Sequence, residues 1–216
     1  MIQIFFIGSS TIYGVGGENG GWADIVKQKL HNMMYGENGV GEKYEIYNFG
    51  KSGATIDFVQ DTFPQQLKQY GRGGKIITIV NVGGNNAKAE NKPDNFVSTI
   101  DEYSKEMGQL LDMLKEVSSH VIVVSSGYYD ESKTNPKSNP LTGGKSYFSN
   151  TRSQKFQRRF MELCKERKLV FIGVDVSEQE WKEKYIYEDG LHANRKGHEM
   201  MAGKVLAKIM EVINET

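Results

Sequence analysis

Short, β-branched apolar runs alternate with longer amphipathic stretches along the whole chain, and that alternation constrains the fold more than any single motif. Residues 2–7, 44–49, 75–82, 120–125 and 170–174 read as strands, the third of them (Lys-Ile-Ile-Thr-Ile-Val-Asn-Val) most strongly. Residues 22–34, 55–70, 94–117, 153–167 and 194–213 carry apolar side chains at helical spacing. In the longest of these, Phe96, Ile100, Tyr103, Met107, Leu110, Leu111 and Leu114 fall on one stripe. Pro64 is expected to interrupt the second helix, because a ring at that position removes a helical hydrogen bond. Strands that are each followed by helical sequence predict an α/β fold. We expect three αβα layers with about five parallel strands and helices on both faces, in one domain over residues 1–216.

In an open parallel sheet, ligands bind beyond the carboxyl ends of the strands. Four segments meet that condition: Gly8-Ser9-Ser10 after the first strand, Asn48 to Thr55 after the second, Gly83-Gly84-Asn85-Asn86 after the third, and Asp189-Gly190-Leu191-His192 before the last helix. Together they hold the inventory for acyl transfer. A hydroxyl becomes a competent nucleophile when an imidazole takes its proton, and a carboxylate fixes which imidazole nitrogen faces it. Ser10, His192 and Asp189 fit those parts. The anionic intermediate needs preorganised donors, for which the backbone N–H groups of Ser10 and Gly53 and the side chain of Asn85 are candidates.

These four segments, in this order, resemble the four blocks of the SGNH (GDSL-type) hydrolases, and they span most of the chain. The resemblance implies a flavodoxin-like fold, Ser10 as nucleophile, Asp189 and His192 as its partners, and Gly53 and Asn85 as oxyanion donors. Two positions depart from the family pattern. Ser9 stands where an Asp normally precedes the nucleophile, and Asn86 where an Asp usually follows the oxyanion Asn. Neither is a triad member in that pattern, so the departures bear on local hydrogen bonding, substrate preference and rate. Ser9 also offers a second hydroxyl. Strand alternation sends Ser9 and Ser10 to opposite sides, and the alignment of blocks favours Ser10.

Each of these residues also has an ordinary structural reading. A serine after a strand often caps a helix, Gly-Gly-Asn-Asn forms turns readily, and a loop histidine is often only hydrogen-bonded. It is the four blocks in order that favour chemistry. His31 and His120 read as structural or exposed. His198 reads the same way, because an Asp189–His192–His198 metal site lacks a further ligand. Gly143-Gly144-Lys145-Ser146 imitates the end of a phosphate-binding loop, but no strand precedes it and its first glycine position is Asn139. Residues 127–150 read as irregular, either a loop covering substrate or a surface insertion. Tyr128 and Tyr129 in that loop, with Tyr13 near Ser10, are candidate substrate contacts.

Lys and Arg number 27, as do Asp and Glu, so no positive field favours nucleic acid or an anionic membrane. The single cysteine, Cys164, excludes an internal disulfide and sits in a helical apolar run, as a buried thiol would. The N-terminus is apolar but lacks the basic region and cleavage site of a secretory signal, and no segment is long enough to span a bilayer. We therefore expect a cytoplasmic serine hydrolase acting on a small-molecule ester through an acyl-Ser10 intermediate, with no metal or organic cofactor. The polar, tyrosine-bearing loop leans toward short acyl groups on a sugar or another polar alcohol. Thioester cleavage, acyl transfer to another acceptor and a non-catalytic binding module remain open, and oligomeric state is not legible.

Overall fold

The structure is a computed structural model and describes residues 1–36, 43–139 and 142–214. Its strands are β1 (Ile2–Gly8), β2 (Tyr44–Gly50), β3 (Lys75–Asn81), β4 (Ala89–Glu90), β5 (His120–Val124), β6 (Lys137–Ser138), β7 (Lys145–Tyr147) and β8 (Val170–Ile172). Its helices are α1 (Ser10–Tyr13), α2 (Trp22–Tyr35), α3 (Ile56–Tyr70), α4 (Gly84–Ala87), α5 (Ile100–Val117), α6 (Glu131–Thr134), α7 (Asn150–Glu166), α8 (Glu178–Lys184) and α9 (Arg195–Asn214). Five strands form the parallel sheet that the alternation of runs predicts, and their order is β2-β1-β3-β5-β8.

Each sheet face is sealed by its own apolar layer. Phe5 and Ile7 of β1 pack on one side with Ile56, Val59 and Phe63 of α3, Leu110 and Leu114 of α5, and Phe156 and Phe160 of α7. Ile4 and Phe6 point the other way, onto Trp22 and Leu30 of α2 and Val205 and Ile209 of α9. The period of two in β1 thus divides its side chains between the layers. Cys164 is buried among the first group, and burial pushes its thiol up to about 12 against the pull of Arg167. Among the described residues no helix is long and apolar enough to cross a membrane.

Three details differ from the sequence reading. First, α3 runs unbroken through Pro64. Burying Ile56, Val59 and Phe63 stabilises by about 1.5–3 kcal/mol each, which outweighs the roughly 3 kcal/mol cost of an interior proline. Second, the helix expected from residue 94 begins at Ile100, where Thr99 and Glu102 form a capping box. Val97 and Ser98 instead give their N–H groups to the Lys88 and Asn86 carbonyls, and Phe96 is half exposed beneath the Arg152 guanidinium. Third, much of the stretch read as irregular, residues 127–150, is ordered. It contributes α6 and the strands β6 and β7, which join β4 in a small antiparallel sheet. Pro140 and Leu141 lie outside the described residues. Lys145 and Ser146 sit inside β7, so the glycine-rich segment before them opens no helix.

His198 is completely buried and joins the start of α2 to α9. Its Nδ1 accepts the Trp22 N–H at 3.1 Å, so the ring proton resides on Nε2, which donates to the Val15 carbonyl at 3.0 Å. Burial lowers its basicity; the Val15 carbonyl opposes that and His192 adds to it. A base weakened by folding contributes stability above its unfolded pKa of about 6.5, and that contribution is lost as pH falls through the folded value. His198→Ala should therefore cost about 1–3 kcal/mol at neutral pH and lessen the further loss on acidification. Urea unfolding at about pH 7.5 and about pH 5 tests this; an equal acid loss in both proteins would refute it.

Candidate active site

The chain leaves β1 to form β2 on one side and returns to form β3 on the other, so the β1/β3 boundary is the switch point of the sheet. Gly8 makes the close approach there possible. It has φ +144°, and a Cβ would lie 2.0 Å from the Asn81 carbonyl oxygen. Ser9 is tied to that same carbonyl through its N–H at 3.1 Å, and its side chain is buried. The next residue, Ser10, opens the short helix α1 and faces a cavity of about 270 Å³. Asn48, at the end of β2, braces this turn by donating to the Ile12 carbonyl at 3.0 Å.

His192 arrives from the far end of the chain. Its Nε2 lies 2.8 Å from Ser10 Oγ, and its Nδ1 lies 2.7 Å from Asp189 Oδ2. A carboxylate can only accept, so Nδ1 carries the proton and Nε2 is left to accept from the serine hydroxyl. The other Asp189 oxygen, Oδ1, accepts the backbone N–H groups of Leu191 at 2.9 Å and His192 at 3.0 Å. Partial burial pushes the Asp189 carboxyl up, but the His192 ring and the His192 and Leu191 N–H groups together hold it well below the usual carboxylate range. The His192 and Asp189 side chains keep only 11% and 20% of their surface exposed, so this chain of hydrogen bonds is largely shielded from water. Such an arrangement can move a proton off a hydroxyl and return it to a leaving group.

Gly53 and Asn85 line the same cavity. Gly53 adopts φ +81°, and a Cβ there would meet nothing within 4 Å; the left-handed backbone, rather than crowding, favours glycine. The Asn85 amide donates to the Ala54 carbonyl at 2.9 Å, which orients it beside Gly53 and leaves its second hydrogen uncommitted among the described residues. Asn86 is buried and structural. Its Oδ1 accepts the Ile56 N–H at 3.1 Å and its Nδ2 donates to Ser98 Oγ at 3.1 Å. A neutral amide can do both, whereas a carboxylate could only accept.

The three tyrosines singled out in the sequence do not line this cavity. Tyr13 is 62% exposed at the end of α1. Tyr128 borders a separate depression with Met161 and Phe171. Tyr129 is buried, packed edge-on against Phe148 and tied to Asn150. The aromatic wall is Phe148, and the small sheet adds Lys137, Ser138 and Ser146, with Lys88 just before it. No motif marks these residues, because segments around 89, 137 and 146 must pair before they face Ser10. Among the described residues no group of three His, Cys, Asp or Glu side chains is arranged to hold a metal ion.

Known proteins bear on this geometry at two levels. In overall structure the chain is similar to a lipase/acylhydrolase from Enterococcus faecalis (TM-score 0.71, 16% identity, 97% of this chain and 95% of the other). It is also similar to Axe2, an acetylxylan esterase from Geobacillus stearothermophilus (0.65, 18%, 96% and 93%). A third is the psychrotrophic esterase EstA from Pseudoalteromonas sp. (0.67, 14%, 98% of each chain). At these identities the likeness establishes the fold. No curated protein matches the chain in sequence. The model of the GDSL-like lipase/acylhydrolase family, in contrast, matches residues 6–200, which contain all four site segments. With the family match spanning most of its length, this chain belongs to the GDSL-like lipase/acylhydrolase family and is a serine hydrolase of that type.

Proposed function

We propose that the chain is a carboxylic ester hydrolase in which Ser10 carries the acyl group, His192 is general base and then acid, and Asp189 orients His192. The observation that carries this reading is the 2.8 Å contact of Ser10 Oγ with His192 Nε2, continued at 2.7 Å to Asp189. His192 takes the hydroxyl proton as Ser10 Oγ attacks the ester carbonyl. The oxyanion is held by the N–H groups of Ser10 and Gly53 and the free amide hydrogen of Asn85. Collapse expels the alcohol, which leaves with the proton from Nε2. Water, deprotonated by the same nitrogen, then attacks the acyl-Ser10 carbonyl and restores the serine.

The cavity supports a small acyl group on a polar alcohol. Its volume of about 270 Å³ limits the acyl group it can enclose; Ser52, Ser138, Asn139 and Ser146 offer hydrogen bonds, while Val15, Phe148 and Leu191 supply apolar surface. Phe148 takes the part first assigned to the tyrosines, as an aromatic wall against a sugar ring. Acetylxylan esterases among the structural neighbours are consistent with that class.

A fluorophosphonate should label Ser10, and the adduct should be lost in His192→Ala. An adduct on Ser9 would move the nucleophile, and folded protein with no adduct would favour a non-catalytic binder. Ser10→Ala should lower turnover of an activated acetate ester by about a thousandfold or more. Asn85→Ala should lower kcat by about 10²–10³ with a smaller change in KM; unchanged kcat would remove Asn85 from the oxyanion site. Across p-nitrophenyl esters, rates should fall as the acyl chain lengthens from acetate, and a preference for long chains would defeat the short-acyl assignment.

A further inference from the structure

Lys137 meets Asp189 from a part of the chain outside the four site segments. Its Nζ donates to the Asp189 backbone carbonyl at 2.8 Å and lies 3.4 Å from Asp189 Oδ2, the oxygen that also accepts from the His192 ring. The lysine side chain retains a quarter of its exposure. It does not hang from a free loop: Lys137 is in register with Ser146 of β7, and β7 pairs with β4. The same cap is tied down where Phe148 donates its N–H to the Thr134 carbonyl at 3.1 Å and where Arg152 Nε donates to the Ala87 carbonyl at 2.8 Å.

We propose that Lys137 is a positioning residue, through which the small antiparallel sheet holds the Asp189 loop and places a second cation on the carboxylate oxygen that faces His192. This rests on the roles of Ser10, His192 and Asp189 proposed above. The bond to the carbonyl fixes where the loop stands. The ammonium, sharing Oδ2 with the imidazole, offsets part of the carboxylate charge that would otherwise favour the imidazolium. Removing the cation leaves that carboxylate charge unopposed, and the acid limb of activity is expected at higher pH.

The other charged and titratable groups around the loop have partners of their own. Lys133 of α6 pairs with Asp130 at 3.6 Å, the Tyr187 phenol donates to Glu188 at 3.1 Å, and Lys88 pairs with Glu90 at 2.9 Å. His198 is committed to Trp22 and Val15.

The test is the rate of fluorophosphonate labelling of Ser10 against pH in wild type, Lys137→Met and Lys137→Arg. Thermal melting checks that each variant is folded. Lys137→Met should move the acid limb upward by about half a pH unit, a modest shift because the pair is partly solvent-screened. Lys137→Arg, keeping the charge, should stay close to wild type. If Lys137→Met does not fold, Lys137→Gln is the neutral replacement. An unmoved acid limb in a folded neutral variant overturns the proposal, even if the overall rate falls. Wild type that is not labelled at Ser10 fails differently: it overturns the catalytic assignment, and this inference with it.

Discussion

β1 is hydrogen-bonded along its whole length to β2 on one edge and β3 on the other, and its residues are buried on both faces. A strand so enclosed leaves the polypeptide one way out, over the carboxyl edge of the sheet. Gly8 permits that exit because its hydrogen occupies space a Cβ would contest with the Asn81 carbonyl. The position of Ser10 follows from this crowding. So does that of α1, which Ser10 opens at the cavity and which Asn48 braces through the Ile12 carbonyl. Replacing Gly8 would disturb β1, β3 and the nucleophile together.

Much of the site is held by backbone groups. Asp189 is fixed by two N–H groups of its own loop before it meets the imidazole. Asn85 is aimed by the Ala54 carbonyl, and its neighbour Asn86 pins α3 and Ser98 around it. Buried polar groups are costly unless paired, so these partly enclosed networks favour one arrangement. Asn86 is satisfied in this network on both sides of its amide, accepting from Ile56 and donating to Ser98.

The small sheet is what distinguishes the entrance. Three short strands from distant segments place Lys88, Lys137, Ser138, Ser146 and Phe148 around Ser10 and join the rim to Asp189. Serines, two lysines and one aromatic ring thus stand together at the mouth of one cavity. Family membership sets the class of chemistry, and the choice among esters is a matter for the site rather than the fold.

The amino-acid sequence by itself determined the sheet, its sidedness and the four segments at its carboxyl edge, because strand periodicity, helical spacing and glycine turns are local properties. Ser10, Gly53, Asn85, Asp189 and His192 could be singled out as candidates because each sits at a strand end or before the last helix, and because the four segments in order resemble one family's blocks. Only the tertiary structure decided the rest. The start of α5 at Ile100 depends on Val97 and Ser98 bonding to residues 88 and 86. The continuity of α3 through Pro64 depends on side chains buried against the sheet. Tyr129 and Phe148 could not be assigned to core or cavity until β4, β6 and β7 paired. The contact of Lys137 with Asp189 spans 52 residues and leaves no local pattern. Such contacts are won by packing and hydrogen-bond satisfaction across the whole chain, and no short window of sequence contains both partners.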